Sequence, residues 1–166
     1  MTDLATVIPL AAEIVAACRD RGLKIATAES CTGGLVAGAL TEIAGSSAVV
    51  DRGFVTYSNA AKAELLGVSP GLIEARGAVS EEVARAMAEG ALARSAADLV
   101  VSITGIAGPT GGTAAKPVGL VHFATARRGE PVLHEQKVFP DNGRSGIRLA
   151  SVRHALSMLM GRIDGA

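Results

Sequence analysis

Aromatic side chains are nearly missing: the 166 residues include no Trp, one Tyr and three Phe. Any core must be packed from Ala, Val, Leu and Ile, and the lone tyrosine, Tyr57, becomes conspicuous. An excess of one charge is missing too, since 16 basic residues balance 16 acidic ones. With no long basic run and few rings to stack on bases, the chain lacks the footprint of a nucleic-acid binder, and no nucleic-acid partner is expected. Cysteine is scarce, and Cys18 and Cys31 show neither metal-site nor disulfide-framework spacing. His122, His134 and His154 are scattered, and HExxH, CxxC and EF-hand patterns do not occur. No metal and no cofactor are expected. Residues 4–18 are apolar-rich, but Pro9 and Glu13 interrupt a run already too short to span a bilayer. The N-terminus also lacks the order of a signal peptide. A cytoplasmic protein without a membrane partner is the expectation.

What is present is the balance of a globular protein, 49% hydrophobic and 19% charged. The length suits one domain over residues 1–166 with a real core. Two periods alternate along it. Ile8, Ala11, Ile14, Val15 and Cys18 recur at helical spacing, and Gly22 is a fitting stop. Residues 24–28 read as a short buried strand, 33–43 as a small-residue helix closed by Gly45, and 49–57 as a strand with Gly53 inside it. Ser58 can cap a helix over 59–66 that ends at Gly67. Ser69-Pro70-Gly71 is a turn into a minor helical segment. Ser80 can cap a helix running to about Arg94, with Glu81 and Glu82 at its positive end. Residues 98–103 form a continuous apolar run, as a central strand covered on both sides would. A glycine-rich loop over 105–116 follows, then strands over 118–126 and 132–139 around a turn at 128–131. Asp141 or Asn142 can cap a final helix. Strands alternating with helices predict an α/β fold, a three-layer α/β/α sandwich whose central sheet is mixed but mostly parallel, the late hairpin supplying the mixing. In such sheets ligands gather at the carboxyl ends of strands, where the turns after Ala28, Thr56 and Ile103 fall.

Those turns hold the residues that can carry chemistry. Ser30 lies in the strand-to-helix turn Glu29-Ser30-Cys31-Thr32-Gly33-Gly34. Such a turn can expose a nucleophile and aim amides at an oxyanion or phosphate; from the residues alone, the favoured reading of Ser30 is the cap of the next helix. Cys31 is a rival nucleophile, but no histidine partner is evident and a small buried residue is its other reading. Lys62 falls on the first turns of the helix after Ser58 and can return towards the strand end. Burial there would lower its pKa and make it a general base, whereas the plain alternative is a solvated surface lysine. The loop Thr104-Gly105-Ile106-Ala107-Gly108-Pro109 and onward is rich in glycines that let amides approach a ligand closely. It is neither a dinucleotide fingerprint nor a Walker loop, and Lys116 can add charge at its rim. Arg144 and Arg148 open the last helix one turn apart and suit a carboxylate or phosphate, or a solvated face.

Ala28–Gly34, Gly53–Asn59, Gly77–Ser80, Thr104–Pro109 and Lys116–Gly119 together resemble, in order, the motifs of the CinA C-terminal domain family, over about residues 5–160. The likeness is to its stand-alone, nicotinamide-nucleotide amidase form. It implies metal-independent hydrolysis of the carboxamide of nicotinamide mononucleotide, giving nicotinic acid mononucleotide and ammonia. It implies Ser30 as nucleophile, with Tyr57 and Lys62 in the catalytic set, and carries Thr104, Gly105 and Arg144 over to the site. For the oxyanion the candidates are amides near Cys31, Thr32, Gly33 and Gly34 or near Thr104 and Gly105; for the phosphate they are the glycine-rich loop, Lys116 and Arg144. One departure is visible. Many members read F-x-G-D-R before the last helix, whereas Phe139-Pro140-Asp141-Asn142-Gly143-Arg144 is one residue longer, with Asn-Gly in place of Gly-Asp.

Two other readings stay open: a non-catalytic nucleotide-binding or competence/DNA-damage accessory module, and a hydrolase of a different carboxamide. A homo-oligomer is expected. The separation of Ser30 and Lys62 discriminates, since about 3 Å supports a dyad and beyond roughly 8 Å argues against one.

Overall fold

The computed structural model describes residues 3–165. Helix α1 (Ile8–Arg21) ends where Gly22 turns left-handed at φ 66°, and strand β1 (Ile25–Glu29) follows, buried at every position. Helix α2 (Leu35–Thr41) starts two residues later than its small-residue pattern suggests. Gly33 and Gly34 both hold positive φ, 59° and 97°, which a right-handed helix does not use. Strand β2 (Val50–Val55) is shorter than the expected 49–57. Helices α3 (Asn59–Leu66), α4 (Pro70–Arg76) and α5 (Glu81–Ala93) each begin with a serine whose hydroxyl oxygen accepts an amide of the first turn: Ser58 from Ala61, Ser69 from Leu72, Ser80 from Val83. Strands β3 (Leu99–Gly105), β4 (Leu120–Arg127) and β5 (Leu133–Val138) precede helix α6 (Arg144–Asp164). Neither Asp141 nor Asn142 is the cap of α6. Gly143 takes that place without a side-chain bond, and the Asp141 carboxylate accepts the Gly143 amide one step outside the helix.

The strands form one sheet in the order β2-β1-β3-β4-β5. β1 runs parallel to β2 and β3, while β4 is antiparallel to both β3 and β5. Only β4 therefore opposes the common direction, which is the mixed, mostly parallel sheet expected. Side-chain alternation sorts the two faces. Ile25, Leu99, Val101, Ile103, Val121 and Phe123 pack against α1, α2 and α6. The opposite face presents smaller residues, Ala26, Ala28, Val100, Ala124 and Ala126, to α3, α4 and α5. Small residues there let the helices sit close to the sheet end that carries the polar turns. Among the described residues no helix is long and apolar enough to cross a membrane.

Candidate active site

The carboxyl ends of β1, β2 and β3 meet at one edge of the sheet, as the parallel register requires: Glu29 is level with Val55 on one side and Ile103 on the other. Ser30 leaves β1 there, its amide donating to Ile103 O at 2.9 Å. It does not cap α2. Gly34 holds the N-cap position without a side-chain bond, and the capping is done by Glu29. Its fully buried carboxylate accepts the amides of Val36 at 2.9 Å and Ala37 at 3.1 Å and the Thr27 hydroxyl at 3.1 Å. A negative group at a helix start is favoured by the exposed amides and the dipole. Ser30 is thereby released from the capping role.

Its partner is Lys62. The Nζ donates to Ser30 Oγ at 3.0 Å, Thr56 O at 2.8 Å and Tyr57 O at 3.5 Å. The solvated-surface alternative is excluded, because Lys62 is 1% exposed. Among the described residues no carboxylate pairs with it. Desolvation disfavours the ammonium form and lowers the Lys62 pKa, outweighing an opposing effect from Cys31. A neutral amine beside a serine hydroxyl can act as its base. Cys31 is not a rival: burial pushes its thiol up to about 12, far from the thiolate form.

A cavity of about 230 Å³ opens on the dyad, lined by Ser30, Cys31, Tyr57, Asn59, Lys62, Ala78, Val79, Thr104, Gly105, Ala107 and Arg144. Tyr57 is 60% exposed, and its hydroxyl accepts from Arg144 Nη2 at 2.8 Å. The backbone carbonyl of Tyr57, not its phenol, faces Lys62. Arg144 also donates to Gly108 O at 2.8 Å, tying the glycine-rich loop to the end of β2. Thr104 is buried and its hydroxyl donates to Ala78 O at 2.8 Å, which pins the segment between α4 and α5 over the sheet end. Gly105 is needed for packing, since a Cβ would lie 2.7 Å from Val121 Cγ2 and 2.9 Å from Leu120 O.

Not every candidate comes together. Thr32, Gly33 and Gly34 form the turn behind Ser30 and do not line the cavity. The Thr32 side chain is fully buried. Lys116 lies apart from the dyad: its Nζ donates to Arg76 O, closing the loop onto α4. Arg148 does not face solvent freely but donates to Cys31 O at 3.0 Å and Thr32 O at 3.2 Å. Sequence reasoning missed Asn59 and the capping role of Glu29. Nothing in the sequence marked Glu29 as the cap, because Ser30 and Thr32 lie nearer the helix and the strand end alone turns the Glu29 carboxylate under α2.

The CinA C-terminal domain family matches residues 7–163. A CinA-like protein of Mycolicibacterium vanbaalenii is 54% identical over 164 residues, covering 99% of this chain but 37% of that protein, so the chain spans little more than a third of that relative's length. The nicotinamide-nucleotide amidohydrolase PncC of Enterobacter agglomerans is 53% identical over 147 residues, with 89% of each chain covered. The crystal structure of the competence/damage inducible protein CihA from Agrobacterium tumefaciens superposes with a TM-score of 0.93 at 57% identity, covering 95% of both chains. With a family match across nearly its whole length, and the motifs of that family meeting at one sheet edge, this chain belongs to the CinA C-terminal domain family.

Proposed function

We propose that the chain is an amidohydrolase that converts nicotinamide mononucleotide to nicotinic acid mononucleotide and ammonia through Ser30 and Lys62, with residues 1–166 acting as one catalytic unit. The relative named as a nicotinamide-nucleotide amidohydrolase, similar over 89% of both chains, supplies the substrate. The observation that carries the chemistry is a buried lysine, without an ion pair among the described residues, 3.0 Å from a serine hydroxyl, both lining one cavity. The desolvation of that lysine beside a hydroxyl favours catalysis over a non-catalytic binding module.

In this reading neutral Lys62 takes the Ser30 proton as Oγ attacks the carboxamide carbon, and the carbonyl oxygen becomes an oxyanion. The protonated amine then delivers that proton to the amide nitrogen, the C–N bond breaks, and ammonia leaves an acyl-Ser30 ester. Water attacks the ester with Lys62 again as base, and the proton returns to Ser30 as nicotinic acid mononucleotide departs. Tyr57 offers an exposed ring face to the flat, cationic pyridinium. Arg144 uses two of its donors on Tyr57 and Gly108 and has others for the phosphate.

Incubating the purified protein with nicotinamide mononucleotide and measuring ammonia tests this. Ser30→Ala is expected to lower turnover on the order of 10⁴-fold or more while the melting temperature stays near that of the parent. No ammonia from folded protein overturns the amidase reading, and nucleotide binding by calorimetry without product would leave a binding module.

A further inference from the structure

We propose that Arg148 is a positioning residue for the reaction: it holds the turn after Ser30 so that the Cys31 amide forms the oxyanion site. The inference rests on the amidase reading and deepens it. Two peptide planes fix the turn and with it where that amide points. A trans peptide directs its carbonyl and its N–H oppositely. The Ser30 carbonyl accepts the Gly33 amide at 3.0 Å, turning the Cys31 N–H outward from the turn. The Cys31 carbonyl accepts Arg148 Nε at 3.0 Å, turning the Thr32 N–H away from α6. Among the described residues no backbone carbonyl accepts from the Cys31 or Thr32 amide. The Cys31 amide, on a residue that lines the cavity, is thus held beside the nucleophile with no carbonyl using it, while Thr32 is fully buried and serves the turn.

Arg148 is built for this contact. Its Nη2 donates to Thr32 O at 3.2 Å, so the guanidinium bridges successive carbonyls as a fork. Among the described residues it makes no ion pair. The turn carbonyls are its partners, and a cation on a carbonyl polarises the peptide and strengthens its N–H as a donor. Gly33 belongs to the same device. A Cβ there would stand 3.3 Å from Arg148 Nη2, and its φ of 59° is one that other residues rarely adopt. Arg148 lies behind the turn and is absent from the cavity lining, so it does not touch substrate.

The test begins with ammonia release by the parent enzyme; failure there counts against the amidase reading and not against Arg148. Arg148→Met is then expected to lower kcat by about 10- to 1,000-fold, the range for a lost oxyanion donor, with KM within about threefold of the parent. Added guanidinium ion is expected to restore part of that rate. Arg148→Lys keeps a cation but not the fork, and its kcat should fall in between with the melting temperature held. If Arg148→Met does not fold, the comparison rests on Arg148→Lys. A kcat within about twofold of the parent in the folded variant, or a loss carried by KM alone, overturns the proposal.

Discussion

Burial lowers the pKa of Lys62 from the ordinary 10.5, and the sign of that shift governs both rate and stability. As a general base the amine must be neutral, so kcat/KM is expected to fall about tenfold per pH unit below the shifted value. The inflection should lie below 10.5. A pH-independent rate, or an inflection at or above that value, would sink the base role. For stability, the unfolded chain binds the proton over the window between the lowered folded pKa and 10.5, so this group's contribution rises with pH across it. Protonating Lys62 in the folded state is the unfavourable event. Lys62→Met should therefore abolish ammonia release while the melting temperature holds or rises, which separates catalytic need from structural need.

Among the elements, the crossing of α3 and α5 matters most, because α3 delivers Lys62. Gly90 of α5 is buried against the last turn of α3, and a Cβ there would run into the Leu66 carbonyl oxygen and stand 2.9 Å from its carbon. Helix propensity alone favours alanine by about 1 kcal/mol. The obstacle is backbone, which cannot rotate aside, and overpacking costs about 1–3 kcal/mol. The clash wins. Gly90→Ala is expected to lower the melting temperature, at roughly 2–4 °C per kcal/mol for a chain of this size. It should also lower kcat, as α3 is pushed and Lys62 leaves Ser30. Unchanged melting and unchanged turnover together would show that the crossing does not position the base.

At the scale of the whole molecule, the β4–β5 side of the sheet carries a histidine pair that makes the fold acid-sensitive. His122 Nδ1 lies 2.9 Å from His134 Nε2, with the rings stacked at 5.2 Å. One of the facing nitrogens must be unprotonated to accept. Burial lowers both pKa values below the ordinary 6.5, and lowers that of His154 as well. Glu81, Glu82 and Glu135 around them oppose the shift, while Lys116, Arg85 and Lys137 reinforce it, so burial sets the direction. Below 6.5 the unfolded chain then binds more protons than the folded one, and stability falls as pH drops towards the folded values. The melting temperature should decline on acidification below 6.5, with a smaller decline in His134→Gln. A parent melting temperature that stays level through that window would contradict this.

Local chemistry is what the sequence by itself determined. Ser58, Ser69 and Ser80 cap their helices, and Gly22 and Gly67 end theirs, because an amide within three residues or a left-handed φ is a short-range requirement. The alternation of periods likewise specifies a layered sheet, since each apolar face must be covered. What only the tertiary structure decided is which long side chain meets which turn. Lys62 reaches Ser30 across 32 residues, Arg144 reaches Tyr57 across 87, and Arg148 reaches the Cys31 carbonyl across 117. Periodicity assigns a residue to a face but does not say where a flexible lysine or arginine ends. Ser30 read as a cap for the same reason: the competing carboxylate of Glu29 takes that place only once the strand has turned its side chain under α2. The turn after β1 was therefore legible as a site, but its division of labour — Glu29 on the helix amides, Arg148 on the carbonyls, Ser30 left for Lys62 — is a product of packing.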